Sequence, residues 1–249
     1  KKYNFITWKE AVKKLHDPEI EDSYNEKNFF RRRLAFDELF AHQLAICIIR
    51  TINNKKNSFP FKNNNKLKSN LIKKLEFKLT NSQLIVLKEI QIDLESNKQM
   101  IRLLQGDVGS GKTIVALISM LTVIESGYQA TLMAPTSILA YQHYENISKL
   151  IKHLDINIGI LTGKDKGKKR IEKLDKIKNG NTQIIIGTHA LIQEGVNFKK
   201  LGLSVIDEQH RFGVYQRMAF NYKGFRPSIL VMSATPIPRT LTLAAYGDM

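Results

Sequence analysis

Short apolar segments alternate with helix-like segments along most of this chain, from about residue 82 onward. The apolar segments predict strands at residues 100–104, 130–134, 156–161, 183–187, 203–207 and 229–233. The segments between them predict helices at residues 114–124, 137–152 and 167–178, and a further helix begins near residue 82. Continuous apolar strands that alternate with helices are typical of a parallel sheet covered on both faces. The pattern therefore predicts an α/β fold.

The N-terminal part of the chain shows helical patterns without strands. Thr7 and Glu10 form a capping-box sequence before a short helix predicted over residues 8–16. An apolar stripe predicts a second helix over residues 31–50. Three arginines at its start, 31–33, oppose the helix dipole, so they either contact phosphate or form a solvated charged end.

Residues 51–70 are rich in Asn, Lys and Ser and have neither helical nor strand periodicity. This composition is typical of a linker or an extended loop. We therefore expect a small helical appendage or linker at residues 1–70 and a single α/β domain at residues 71–249.

The balance of charges suggests the kind of partner. The 249 residues include 39 Lys and Arg against 23 Asp and Glu, a formal net charge of +16. Such an excess favours a polyanionic partner such as nucleic acid. A bias toward Lys, Asn and Ile that originates in the coding DNA is the alternative.

Other features of the composition bear on compartment and metal content. The apolar runs are too short to cross a bilayer and no signal-peptide pattern is present, so we expect a cytoplasmic protein without a membrane partner. The lone cysteine, Cys47, has no disulfide partner in the chain and is predicted to be a small core residue. The six histidines are not spaced as zinc ligands, so no structural zinc is predicted.

One segment fits the phosphate-binding pattern Gly-x4-Gly-Lys-[Ser/Thr]. Its residues are Gly106, Asp107, Val108, Gly109, Ser110, Gly111, Lys112 and Thr113. The glycines let backbone N–H groups approach phosphate oxygens, Lys112 adds a cation, and the Thr113 hydroxyl is suited to hold Mg²⁺. An ordinary Gly-rich turn is the alternative, but a strand before the segment and a helix after it favour a nucleotide site.

Gln83 lies upstream of this segment and has two possible roles. With Thr80 it forms a second capping-box sequence, which is a complete structural reason for its presence. Its amide is also able to hydrogen-bond N6 and N7 of an adenine. The two roles are compatible.

Polar residues follow the last two predicted strands. Asp207 is predicted to hold Mg²⁺, and Glu208 to orient and deprotonate an attacking water, although an isolated acidic pair is equally typical of a solvated turn. Ser233, Ala234 and Thr235 form either an ordinary turn before a proline or a relay that senses the γ-phosphate.

Together these motifs resemble the RecG family, bacterial ATP-dependent DNA helicases of superfamily 2 that remodel stalled forks and branched junctions. The segments that carry the resemblance are 207–214, 232–240 and 245–249, with further matches at 104–105, 133–136, 161–163 and 187–191. Gln209 in place of a second acid favours this family over the related transcription-repair coupling factor. The resemblance covers essentially the whole chain.

The resemblance implies a RecA-like P-loop domain that uses ATP and Mg²⁺ and acts on branched DNA. It implies an ATP hydrolase that couples turnover to remodelling of stalled forks and Holliday junctions in recombination and repair. At the nucleotide site, the resemblance implies catalysis for Lys112, Asp207 and Glu208, nucleotide binding for Gln83 and 106–113, and metal binding for Thr113 and Asp207. It also implies a family motif made of Asp207, Glu208, Gln209 and His210, and a coupling role for Ser233, Ala234 and Thr235. The implied DNA track consists of Pro135, Thr136, Gly187, Thr188 and His189.

The RecG family also has an OB-type wedge domain and a second RecA-like domain with an arginine finger. Neither is recognisable in these 249 residues, so we expect them to be a portion of a longer, monomeric protein and to be nearly inactive alone. A duplex translocase of the coupling-factor type and a nucleic-acid-binding module without turnover remain the alternatives.

Overall fold

The structure, a computed structural model, describes residues 5–17, 28–54, 58–62, 64–207 and 226–234. The described residues fall into two compact units that divide between Asn53 and Asn54. None of the described helices combines the length and the apolarity that a bilayer crossing requires.

The first unit contains helices α1 (Trp8–His16) and α2 (Phe29–Asn54). The predicted capping box at α1 is confirmed, because the Glu10 N–H donates to Thr7 Oγ1 at 3.3 Å and the Thr7 N–H donates to Glu10 Oε2 at 3.2 Å. The helix predicted over 31–50 is also present and is longer at both ends.

The prediction that Cys47 is a core residue is wrong, because its side chain is exposed. A helix stripe becomes buried only where a second layer covers it. Residues 5–7 meet α2 near its start, where Phe5 packs on Phe36 at 4.9 Å between ring centroids and Arg33 donates to the Ile6 carbonyl at 3.1 Å. Cys47 lies three turns further along the helix.

The second unit contains a parallel sheet of six described strands in the order β1-β6-β5-β2-β4-β3. The strands are β1 (Ile101–Gln105), β2 (Gln129–Met133), β3 (Ile158–Leu161), β4 (Ile184–Gly187), β5 (Leu201–Ile206) and β6 (Ser228–Ser233). The helices of this unit are α3 (Lys66–Lys74), α4 (Asn81–Glu95), α5 (Lys112–Glu125), α6 (Ser137–Ile151) and α7 (Gly167–Lys178), with a 3-10 helix at His189–Ile192. The predicted α/β fold is confirmed.

Apolar side chains cover both faces of the sheet, as continuous apolar strands require. In β4, Ile184 and Ile186 belong to the core that α3, α4, α5 and α6 complete, whereas Ile185 belongs to the core that α7 completes. The most completely buried of the described helices is α5, which belongs to the core that contains Ile184 and Ile186. Every residue of α5 from Ile114 to Ile124 is buried. Since the phosphate-binding sequence leads directly into α5, this packing fixes the position of the candidate site.

Residues 58–62 and 66–70 are more ordered than the sequence predicts. Phe61 is 2% exposed, packs edge-on against Tyr128 at 5.1 Å, and its N–H donates to the Leu94 carbonyl at 2.9 Å. Helix α3 begins at Lys66. The expectation of a linker or an extended loop is wrong for residues 66–70, which belong to α3. Residues 58–62 have no regular secondary structure and form a loop that the buried Phe61 anchors. The functional boundary near residue 70 stays a prediction.

Candidate nucleotide-binding site

The loop between β1 and α5 requires glycine at its last position. Gly109 and Gly111 have φ values of +81° and +84°, in the left-handed region. A Cβ atom on Gly111 would lie 2.3 Å from Gln83 Nε2, so a side chain there would displace the Gln83 amide in addition to straining the backbone. Gly111 is also the N-cap of α5, which directs the positive end of the helix dipole at the loop.

Lys112 folds back over this loop. Its Nζ donates to the carbonyls of Gly106 at 2.5 Å and Asp107 at 2.8 Å. Among the described residues no carboxylate forms an ion pair with it. A cation held only by loop carbonyls, beside a helix N-terminus, suits a bound polyphosphate.

Gln83 connects the start of α4 to the same loop. The predicted capping box is confirmed, since the Thr80 N–H donates to Gln83 Oε1 at 2.9 Å and the Gln83 N–H donates to Thr80 Oγ1 at 3.3 Å. Gln83 Nε2 also donates to the Ser110 carbonyl at 2.9 Å. Each amide atom keeps one further hydrogen-bonding position, so the geometry leaves room for an adenine contact.

A cavity of about 390 Å³ opens beside the loop. Phe77, Gln83, Gly111, Thr113 and Asn146 are among the residues that line it. It therefore joins the adenine candidate, the loop and the candidate metal-binding hydroxyl in one space.

Asp207 follows β5 and is held by two contacts from one neighbouring segment. Its N–H donates to the Met133 carbonyl at the end of β2, at 2.9 Å. Its Oδ2 lies 2.8 Å from Nε2 of His143 on α6, and both side chains are 13% exposed. The role of His143 was not predicted from the sequence. The available signal was its place on the inward stripe of α6 with the buried Ala140 and Ile147.

Ser233 ends β6 and lies beside the phosphate-binding loop. The Gly106 N–H donates to its carbonyl at 3.2 Å, and the Ser233 side chain is buried. The beginning of the predicted coupling segment therefore contacts the first residue of the loop.

The residues of the predicted DNA track lie at the carboxyl ends of β2 and β4 or directly after them. Thr136 caps α6 by accepting from the Leu139 N–H at 3.3 Å, and Thr188 caps the 3-10 helix by accepting from the Ala190 N–H at 3.5 Å. A Cβ atom on Gly187 would lie 2.1 Å from the Leu161 carbonyl oxygen, so packing requires glycine there. These residues thus have structural roles of their own, and His189 is exposed.

Asp165 organises the turn after β3. Burial alone would raise the pKa of its carboxyl, but hydrogen bonds from Lys173 Nζ at 2.5 Å and from the Thr162 N–H at 2.8 Å outweigh burial and hold that pKa below its usual value. The carboxylate therefore fixes the segment 162–165 at the same sheet edge.

The strand order arranges all these groups along the carboxyl edge of the sheet. The phosphate-binding loop follows β1, Ser233 ends β6 and Asp207 follows β5, and these three strands are consecutive in the sheet. On the other side of Asp207, the candidates Pro135 and Thr136 follow β2, and the candidates Gly187 to His189 lie at the end of β4 and directly after it. Ligands of open α/β sheets bind at this edge.

Some predicted residues lie outside the described residues, namely Glu208, Gln209, His210 and Thr235. Within the described ranges, no three His, Cys, Asp or Glu side chains cluster in a way that would hold a metal ion. The Thr113 hydroxyl and the Asp207 carboxylate nevertheless fit Mg²⁺, which commonly uses one or two protein ligands together with phosphate and water.

The comparisons with known proteins agree with this geometry. The profile of the DEAD/DEAH box helicase family matches residues 66–243. The chain is similar to ATP-dependent DNA helicase RecG of Aquifex aeolicus, with 47% identity over 100% of this chain and 32% of the relative, and of Haemophilus influenzae, with 46% identity over 97% and 36%. It therefore spans about a third of the length of these curated relatives.

A solved structure is similar as well. It is described as RecG bound to a three-way DNA junction and matches with a TM-score of 0.79 and 39% identity, over 98% of this chain and 37% of that one. The resemblance to RecG predicted from the motifs is confirmed.

Proposed function

The chain belongs to the DEAD/DEAH box helicase family, and from this premise we propose that it is the ATP-binding motor domain of a DNA helicase or translocase. In the intact protein the motor couples ATP hydrolysis to remodelling of branched DNA, such as stalled forks and Holliday junctions, in recombination and repair. The relatives named RecG support this proposal. The observation that carries it is the single sheet edge on which a phosphate-binding loop, an aspartate and the DNA-track candidates follow one another.

In the proposed nucleotide site, the backbone of residues 106–111 and Lys112 hold the phosphates of ATP, while Gln83 contacts the adenine. Thr113 and Asp207 hold Mg²⁺, which supplies charge stabilisation to the transferred phosphoryl group. Glu208 orients the attacking water and accepts its proton. Ser233, Ala234 and Thr235 report loss of the γ-phosphate.

Pro135, Thr136, Gly187, Thr188 and His189 form the proposed DNA track. The motor corresponds to residues 71–249 and is preceded by the appendage or linker, 1–70. A wedge domain and a second RecA-like domain of the same protein complete it. We propose a cytoplasmic monomer.

The test is ATP turnover by the intact protein with and without forked DNA. Glu208→Gln should leave nucleotide affinity nearly intact and lower turnover by about 10²- to 10⁴-fold, the usual contribution of a positioned general base. Asp207→Asn should instead weaken Mg²⁺-dependent nucleotide binding. Glu172→Gln, at an exposed position of α7, is the matched control and should change neither.

Small and equal effects of the first two substitutions would show that this acidic pair is not at the reaction centre. A preference for forked over linear duplex DNA would support a branched-DNA enzyme. Equal stimulation by both would favour a translocase of the coupling-factor type.

A further inference from the structure

Asp207 lies between the candidate nucleotide-site residues and the candidate DNA-track residues along the carboxyl edge of the sheet. Its backbone N–H bonds to Met133 and its carboxylate bonds to His143. Both partners belong to one continuous segment, β2 and α6, and the turn between them contains Pro135 and Thr136. The segment that contributes two DNA-track candidates is therefore also the segment that holds the candidate metal ligand.

This segment is continuous from the turn to His143. Thr136 caps α6, and Ala140, Ile147 and Ile151 fix the helix against the sheet. His143 lies about 10 Å along α6 from Thr136, at 1.5 Å per residue. A displacement of the turn that shifts α6 would move the imidazole with it, because packed helices shift as rigid elements.

The chemistry of the contact makes the aspartate sensitive to such a shift. An ionised carboxylate only accepts hydrogen bonds, so the donor at 2.8 Å is His143 Nε2–H. A hydrogen bond of this kind weakens steeply when its angle or length departs from the optimum. Moving α6 would therefore change the orientation of Oδ2.

We propose that His143 is a positioning residue that couples DNA bound at the β2–α6 turn to the nucleotide site through Asp207. This inference rests on the proposed function, because it takes the turn as a DNA contact and Asp207 as a metal ligand. Coupling between two binding sites is reciprocal, so nucleotide must alter DNA affinity by the same factor by which DNA alters nucleotide affinity. His143 is then required for that factor, not for binding of either ligand alone.

The experiment measures this factor in the intact protein. Dissociation constants for a forked DNA are determined without nucleotide and with a non-hydrolysable ATP analogue plus Mg²⁺. Coupling factors in proteins are typically about 5- to 150-fold. Three variants are compared: His143→Leu fills similar space without a donor, His143→Gln retains an N–H donor, and Gln142→Leu makes the same apolar change at an exposed neighbour.

We expect His143→Leu to bring the factor to about 2-fold or less, while His143→Gln and Gln142→Leu retain most of the parent value. Nucleotide-induced stabilisation against heat should remain in all three. If His143→Leu is too unstable to measure, His143→Ala gives the same comparison.

A parent-like factor in His143→Leu would overturn the inference, as would equal loss in His143→Gln and His143→Leu. A parent protein that binds both ligands without any coupling would also overturn it and leave the proposed nucleotide and DNA sites intact. A parent that binds neither ligand would instead overturn the proposed function.

Discussion

Lys112 illustrates how a residue can matter for binding and not for folding. Its ammonium group contacts two loop carbonyls and contributes nothing to the apolar core. Lys112→Ala should therefore abolish binding of Mg²⁺–ADP with little change in stability. The melting temperature of the parent should rise with nucleotide by mass action, and that of the variant should not.

The control for this prediction is Lys88→Ala, which removes an exposed lysine from α4. Its melting temperature should rise with nucleotide as much as that of the parent. An equal rise in Lys112→Ala would contradict the assignment of the loop as the phosphate site.

Asp165 gives a prediction about pH at the same scale. Its carboxyl has a lowered pKa in the folded protein, so the unfolded state binds the proton more readily. The stabilisation is therefore present above the unfolded pKa of about 3.9 and is lost as the pH falls through the folded value. Asp165→Asn should cost about 1 to 2 kcal/mol at neutral pH, because hydrogen bonds to a charged group contribute about 1.5 to 3 kcal/mol and solvent screens this partly exposed carboxylate.

Urea unfolding at two pH values checks this. The stability difference between parent and Asp165→Asn should narrow clearly below about pH 4. Asp155→Asn, at an exposed position, should show little difference at either pH. A difference for Asp165→Asn that is independent of pH would show that the carboxylate charge is not what stabilises the turn.

At the scale of elements, Gln129 at the amino end of β2 forms hydrogen bonds to three segments of the second unit. Its Nε2 donates to the carbonyls of Ile177 and Thr182 at 2.9 and 2.8 Å, and its Oε1 accepts from the N–H groups of Lys199 and Lys200 at 2.8 and 3.2 Å. The side chain is 3% exposed and all its hydrogen-bonding positions are used.

Gln129→Leu should therefore lower the free energy of unfolding by about 3 kcal/mol, since it leaves polar backbone groups without partners. Gln142→Leu, the same change at an exposed site, should stay within about 0.5 kcal/mol. Both are measured by urea unfolding. Nucleotide affinity at low temperature should not change, because the loop lies at the opposite end of the strands, and a loss of affinity would contradict that separation.

The elements that the sequence predicted well have strong periodicity or clear end signals. Trp8–His16 and Gly167–Lys178 have the predicted bounds, and each predicted strand lies within two residues of the observed one. The two capping boxes were also predicted, because they depend only on residues three positions apart. These features are local, so the sequence alone contains them.

What could not be predicted depends on strand order. The contact between His143 and Asp207 requires β5 to lie beside β2, although β3 and β4 separate them in the chain. The burial of Phe61 depends on Tyr128 and Leu94, which are distant in sequence. Contacts between residues so distant in sequence follow no fixed spacing along the chain, so the sequence alone does not predict them.

For the whole molecule, the charge of +16 predicts how DNA binding responds to salt. The proposed track offers backbone turns and hydroxyls, and its predicted contacts are with phosphates, so affinity should be insensitive to DNA sequence. Two neutralised phosphates already imply about a 10-fold loss of affinity between 50 and 200 mM salt. Titrations of this chain with duplex DNA at both concentrations test this, with scrambled sequences as the control. Affinity that barely changes with salt would exclude a track dominated by phosphate contacts.

The last prediction concerns catalysis by these 249 residues alone. An arginine near the γ-phosphate stabilises the charge of the transferred phosphoryl group and is typically worth about 10³- to 10⁵-fold in turnover. In the second unit, each described arginine bonds to another side chain or lies at the amino end of the strands, away from the phosphate-binding loop. Arg102, near the start of β1, pairs with Glu89 and Asp93, Arg170 donates to Gln193, and Arg226 precedes β6.

The resemblance to RecG implies that the arginine comes from a second RecA-like domain. We therefore expect this polypeptide, even with forked DNA, to turn over far more slowly than the enzyme median of about 10 s⁻¹. Steady-state ATPase assays measure this, with Lys112→Ala as the background for contaminating activity. Turnover near the median would place the catalytic arginine within the chain. Arg239, which lies outside the described residues and is close in sequence to the coupling segment, would then be the first to replace with alanine.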